Sequence, residues 1–160
     1  MGDEARIDST DLDAVFAAIM SRMIDTGQAP HYTELARELG VPVERGKQLV
    51  AGVMAAGVPG WVHPGTDYIA SFPPFNNQPT QYRVSVGGEQ RWFAQCGFEA
   101  LAVRWLFPGH TIRVDAPCLD CGEPMRIELR DDEIVSIDPP TMVGYTRSPV
   151  GGAADTRPFR

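Results

Sequence analysis

Tyr82-Arg83-Val84-Ser85-Val86-Gly87-Gly88-Glu89-Gln90-Arg91-Trp92-Phe93-Ala94-Gln95-Cys96-Gly97-Phe98-Glu99 is the stretch that decides how this chain folds. Residues 82 to 86 alternate with a period of two, Gly87-Gly88 supplies a two-residue hairpin turn, and residues 90 to 93 return as the partner strand. A helix is predicted next over residues 96 to 107, with Phe98, Leu101, Ala102, Trp105 and Leu106 facing a core and Pro108-Gly109 stopping it. Residues 111 to 114, 126 to 129 and 133 to 137 read as three strands of an antiparallel meander. They are joined by a turn that holds Cys118 and Cys121 and by Asp131-Asp132.

Ahead of this region the periodicity is helical. Leu12, Val15, Phe16, Ile19, Met20, Met23 and Ile24 form one stripe, opened by Ser9 or Thr10 as N-cap and closed by Gly27. A short helix over residues 33 to 39, stopped by Gly40, and a third from Pro42 or Val43 to Gly57 complete a helix-turn-helix pattern. Trp61-Val62 and Tyr68-Ile69 read as the two strands of a wing. The expected fold class is therefore α+β: a winged-helix-like three-helix unit over residues 9 to 70, then a proline-rich linker over 71 to 80. An antiparallel sheet over 81 to 147, with one packed helix carrying Cys96, follows, and a flexible tail over 148 to 160 ends the chain.

The formal charge is −7 and the sequence pI about 4.9. Through Ala70 there are five Lys and Arg against ten Asp and Glu. A recognition helix so poor in cations has little with which to neutralise phosphates, so the pattern argues for packing or a lid rather than nucleic-acid binding. The same acidity disfavours an anionic membrane surface. No apolar run nears the roughly 20 residues that span a bilayer, and Met1-Gly2-Asp3-Glu4-Ala5-Arg6 is acidic where a secretory signal is basic, so a cytoplasmic protein is expected.

The chemistry concentrates in three cysteines, Cys96, Cys118 and Cys121. In a reducing compartment an odd number of thiols stays reduced. Cys96 stands at a predicted helix N-terminus, where unpaired amides and the helix dipole favour a thiolate and lower the thiol pKa from about 8.5. Glu99, three residues on, shares the first turn and is placed to act as a general acid. Cys118-Leu119-Asp120-Cys121-Gly122 is half of a zinc knuckle, for which Cys96 and His110 are the remaining candidate ligands. The bland alternatives are a small buried cysteine and an ordinary acidic residue in a first helical turn. His31 and His63 read as solvated loop-edge side chains, and Trp92, Phe93, Phe98 and Trp105 as core.

The strand Tyr82-Arg83-Val84, the run Trp92-Phe93-Ala94-Gln95-Cys96-Gly97-Phe98-Glu99-Ala100-Leu101 and the strand Thr111-Ile112-Arg113-Val114 leading into Cys118 together resemble the core of the organomercurial (alkylmercury) lyase family. The helical front end also resembles that family's winged-helix-like region, so the likeness covers most of residues 10 to 145. It implies protonolysis of a carbon–mercury bond, in which one thiolate attacks mercury, a second joins it, and a carboxyl group protonates the leaving carbon. Cys96 matches the first catalytic cysteine. Glu99 stands where the family usually has aspartate, and Cys118 matches a cysteine that is mainly structural there. The family's second catalytic cysteine lies further on, and these 160 residues hold no cysteine after Cys121. Either Cys118 or Cys121 substitutes, Cys121 being the more interesting because it is foreign to the family motif, or a low-molecular-weight thiol supplies the second sulfur, or organomercurials are no longer cleaved.

The leading expectation is thus a lyase-like thiol protein with Cys96, Glu99 and Cys121 as catalytic residues, acting on a small organometallic or other soft electrophile and needing no cofactor. Two rivals accompany it. One is a non-catalytic soft-metal binding or sensing protein that holds Hg(II), Zn(II) or Cu(I) on Cys96, Cys118 and Cys121. The other is thiol or sulfur chemistry on a metabolite, which requires Cys96 to alkylate rapidly near neutral pH.

Overall fold

The computed structural model describes residues 7 to 145. The expected flexible tail lies outside the described residues. Two compact units divide between Phe72 and Pro73.

In the first unit, α1 (Ser9–Thr26), α2 (Tyr32–Glu38) and α3 (Val43–Ala55) precede a two-stranded ribbon, β1 (Trp61–Val62) with β2 (Ile69–Phe72). Helix α1 opens one residue earlier than the serine and threonine suggest. Asp8 is the N-cap, accepting from the Asp11 amide at 2.9 Å while the Asp11 carboxylate takes the Asp8 amide, a reciprocal box. Gly27 closes it with φ 73°, a left-handed stop that suits glycine. Val15, Ala18, Ile19 and Met23 form the buried edge of the stripe and meet Leu35, Ala36, Leu49, Val50 and Val53. His31 is no idle loop residue: its Nδ1 caps α2 by accepting the Thr33 amide at 3.2 Å, and its ring lies 4.1 Å from Tyr32 and 4.9 Å from Tyr68. Gly46 lets α3 approach α2, since a Cβ there would sit 2.7 Å from the Tyr32 carbonyl oxygen. The two cations of α3 are engaged, Arg45 with Asp11 at 2.7 Å and Lys47 with Asp67 at 2.9 Å. That pairing takes from α3 the charges a phosphate backbone would need.

In the second unit the strands lie in the order β3-β5-β4-β6-β7-β8, all neighbours antiparallel. They are β3 (Phe75–Asn76), β4 (Arg83–Val86), β5 (Glu89–Ala94), β6 (Thr111–Pro117), β7 (Pro124–Arg130) and β8 (Glu133–Asp138). Gly87 and Gly88, with φ 57° and 91°, make the β4–β5 turn anticipated from the sequence. The proline-rich segment, by contrast, is more than a linker: it carries the end of β2 and all of β3, and Phe72 and Phe75 are buried. Val84, Ile112, Val114, Ile127 and Leu129 alternate onto the buried face, each worth about 1.5–3 kcal/mol on leaving water. The opposite face is polar. Arg83, Asp115, Arg126 and Asp138 face one another across four strands, as do Ser85, Arg113, Glu128 and Ser136. Arg113 and Arg126 both donate to Asp115, at 2.7 and 3.2 Å. Burial would raise the Asp115 carboxyl, but these two guanidinium groups overcome it and hold the carboxyl below its ordinary range.

Between β5 and β6 the chain forms α4 (Gly97–Ala102), which tightens into a 3-10 turn over Val103–Leu106. The expected single helix with Phe98 and Trp105 turned inward is corrected here. Ala100 and Val103 are the buried residues, while Phe98 and Trp105 are 51% and 66% exposed. No helix among the described residues is long and apolar enough to cross a membrane.

Candidate active site

Strand β5 ends at Ala94, and Gln95-Cys96 carries the chain into α4 with Cys96 as N-cap in an extended conformation, φ −145° and ψ 172°. Serine, threonine, aspartate or asparagine usually fills this position; here a thiol does, its Sγ accepting the Glu99 amide at 3.5 Å. The cap fixes the sulfur over the first turn, on which Glu99 also stands. The Glu99 carboxyl stands close enough to the Cys96 thiol for each group to influence the other's titration.

Both members of the pair are half-buried, and this reverses one expectation. Burial pushes the Cys96 thiol up, and the neighbouring Glu99 charge adds to the rise against the favourable amide bond. The six-residue α4 does not generate a thiolate by its dipole alone. Burial likewise pushes Glu99 up, more than its bonds to Cys96 lower it. Glu99 Oε2 is buried without a hydrogen-bond partner, an acceptor held away from water beside a sulfur. Burial therefore favours the protonated form of each group, and the carboxyl stands where it can take a proton from the thiol and pass it on.

Gly97 lies against the Tyr82 ring, where a Cβ would stand 3.5 Å from Cε1, and the Phe98 ring lies against Gly144. Of the aromatic residues expected in a core, Trp92 is buried and stacks edge-on with Phe107 at 5.1 Å. Phe98 leaves an apolar surface open immediately after the Cys96-Gly97 step.

Cys118 and Cys121 form a separate pair in the turn between β6 and β7. The Cys118 amide donates to the Glu123 carbonyl at 2.8 Å and the Gly122 amide to the Cys118 carbonyl at 2.9 Å, with Gly122 at φ 77°. The neighbouring Cys121 amide, then the Asp120 amide, hold the Cys118 thiol below its ordinary range. Cys121 is exposed and Cys118 half-buried. Among the described residues no group of three or more His, Cys, Asp or Glu side chains is placed to hold a metal ion. The expected three-thiolate site on Cys96, Cys118 and Cys121, and its four-ligand extension to His110, is thus not assembled. These sulfurs are near one another in sequence, but α4, the 3-10 turn and the whole of β6 intervene between Cys96 and Cys118.

Two surface clefts lie on the sheet, one of about 410 Å³ bordered by Ser85, His110, Arg113, Glu128 and Arg130, the other of about 310 Å³ bordered by Arg83, Asp115, Pro117, Gly122 and Met125. Neither is lined by Cys96 or Glu99.

The alkylmercury lyase (MerB) family model matches residues 75–159, just over half of the chain. An alkylmercury lyase of Bacillus cereus is 35% identical over 68 residues, 41% of this chain and 29% of that protein. One from Staphylococcus epidermidis (strain ATCC 12228 / FDA PCI 1200) is 27% identical over 128 residues, 76% of this chain and 53% of that protein. The crystal structure of the mercury-bound form of MerB2 superposes with a TM-score of 0.63 at 17% identity, covering 85% of this chain and 63% of that one. The chain therefore spans about half the length, or less, of the curated relatives it matches. The antiparallel strands β3 to β8 and the cysteine-capped helix α4 lie within the matched region, and the chain belongs to the alkylmercury lyase family.

Proposed function

We propose that the chain binds organomercurials at Cys96 and cleaves their carbon–mercury bond by protonolysis, with Glu99 as proton carrier and a low-molecular-weight thiol as second sulfur donor. The observation that carries this reading is the buried, unpartnered Oε2 of Glu99 beside the Cys96 thiol.

The step balances as follows. The Cys96 S–H proton passes to Glu99 as the sulfur–mercury bond forms and the anionic ligand on mercury departs. The carbon–mercury electron pair then takes that proton from Glu99, giving R–H. Mercury stays in the +2 state on the Cys96 sulfur, and an external thiolate occupies its second position and carries it away by exchange. The half-burial that raises both pKa values keeps the needed proton on the pair near neutral pH. Because Cys121 belongs to the other turn, the second sulfur is assigned to the external thiol. A reducing, thiol-rich compartment such as the cytoplasm suits such a reaction.

Benzene release from phenylmercuric acetate under excess thiol, measured by gas chromatography, tests the reading. Wild type is expected to release benzene and Cys96→Ser none. Wild-type release no greater than the thiol-only background would refute it.

A further inference from the structure

The geometry points to a second thiol site, in which Cys118 and Cys121 hold one soft, two-coordinate metal cation such as Hg(II) or Cu(I), independently of Cys96.

Strands β6 and β7 pair to their ends, Pro117 opposite Pro124, so the six residues between them are clamped into a tight loop. The two backbone bonds between Cys118 and the residues Gly122 and Glu123 close it, and the positive φ of Gly122 turns the chain back. Cys118 and Cys121 stand three residues apart within that loop, the interval at which one turn can aim two sulfurs at a single ion. The backbone of the loop is thus set before any ion arrives, so binding orders little more than the two side chains.

The donor set selects the ion. Zinc in a structural site requires four ligands, and no third His, Cys, Asp or Glu joins the pair among the described residues. A soft d10 ion that favours linear sulfur coordination needs two. Access is open, because Cys121 is exposed and Leu119, between the cysteines, is 73% exposed. No carboxyl proton carrier of the Glu99 kind is buried here, so the pair would hold an ion without cleaving a carbon bond.

The full chain carrying Cys96→Ser provides the test, since it lacks the proposed nucleophile and its outcome is separate from benzene release. Hg(II) is titrated against a monothiol competitor, followed by sulfur-to-mercury absorption in the ultraviolet and by native mass spectrometry. One Hg(II) per chain is expected, and Cys121→Ser, at an exposed position, should weaken its retention about 10²- to 10⁴-fold through loss of the second, tethered sulfur. In parallel, one equivalent of Hg(II) should protect both Cys118 and Cys121 from iodoacetamide. No Hg(II) retained by Cys96→Ser, retention unchanged by Cys121→Ser, or protection of one cysteine without the other would overturn the proposal.

Discussion

The Cys96 sulfur accepts the Glu99 amide at 3.5 Å, so the residue that caps α4 is held on the same helical turn as the Glu99 carboxyl. The sulfur that caps α4 is also the one proposed as nucleophile. A change at Glu99 can therefore alter proton transfer while leaving the cap, a main-chain interaction, in place.

Glu99→Gln keeps that amide and removes the titratable oxygen. Benzene release should fall about 10²- to 10⁴-fold, the usual weight of a positioned general acid. One-to-one capture of phenylmercury by Cys96, read by mass spectrometry, should persist. Glu99→Asp should recover part of the rate, because it restores the acid with one methylene fewer.

The stability of the same variant fixes the sign of the Glu99 shift. A carboxyl whose folded pKa lies above its unfolded value gives most support at pH below the unfolded value, and loses it as pH rises through the folded one. Relative to Glu99→Gln, wild type should become progressively less stable as pH is raised from the ordinary carboxylate range toward neutrality. Urea midpoints across that interval measure the difference, and a gap that narrows with rising pH would contradict it.

Alkylation should not follow the order suggested by helix position. Burial raises the Cys96 thiol, whereas amide donors lower that of Cys118 and Cys121 is exposed. Iodoacetamide near neutral pH, with peptide mass mapping, should label Cys121 and Cys118 first and Cys96 last. Glu99→Gln should quicken Cys96 by removing the adjacent negative charge. Rapid labelling of wild-type Cys96 would instead favour sulfur chemistry on a metabolite.

Gly46→Ala tests the helical unit. Alanine gains about 1 kcal/mol of helix propensity, but its Cβ would lie 2.7 Å from the Tyr32 oxygen and 2.8 Å from the Ala36 Cβ. Overpacking of that kind costs about 1–3 kcal/mol, so a net loss is expected in thermal denaturation. A rise in Tm would show that α2 and α3 can move apart freely.

Features set by neighbours in sequence were the legible ones. The glycine turn at 87 and 88, the apolar stripe of α1, the wing and the three-stranded meander all announce themselves through local period and turn chemistry. The inward face of α4 was misjudged because six α-helical residues give way to a 3-10 turn, and a 3.6-residue period fitted across that change assigns Phe98 and Trp105 to the wrong side. Phe72 and Phe75 were hidden by flanking prolines, which signal a break even where strands continue around them. The Cys96–Glu99 pair could be read from spacing; its raised pKa values could not, since desolvation depends on what the whole unit packs around it. Whether Cys118 and Cys121 join Cys96 was likewise a question of tertiary placement.

The charged face of the sheet also keys its register. A slip of β7 along β6 by two residues would leave the apolar faces inward, so burial alone would tolerate it. From the native pairs Asp115 with Arg126 and Arg113 with Glu128, a slip one way would set Asp115 against Glu128 and Arg113 against Arg130. A slip the other way would set Arg113 against Arg126. Each misalignment places like charges opposite one another, which is destabilising. The polar side of the sheet acts as a proofreader, and the loop bearing Cys118 and Cys121 closes in one alignment because β6 and β7 can zip in one alignment.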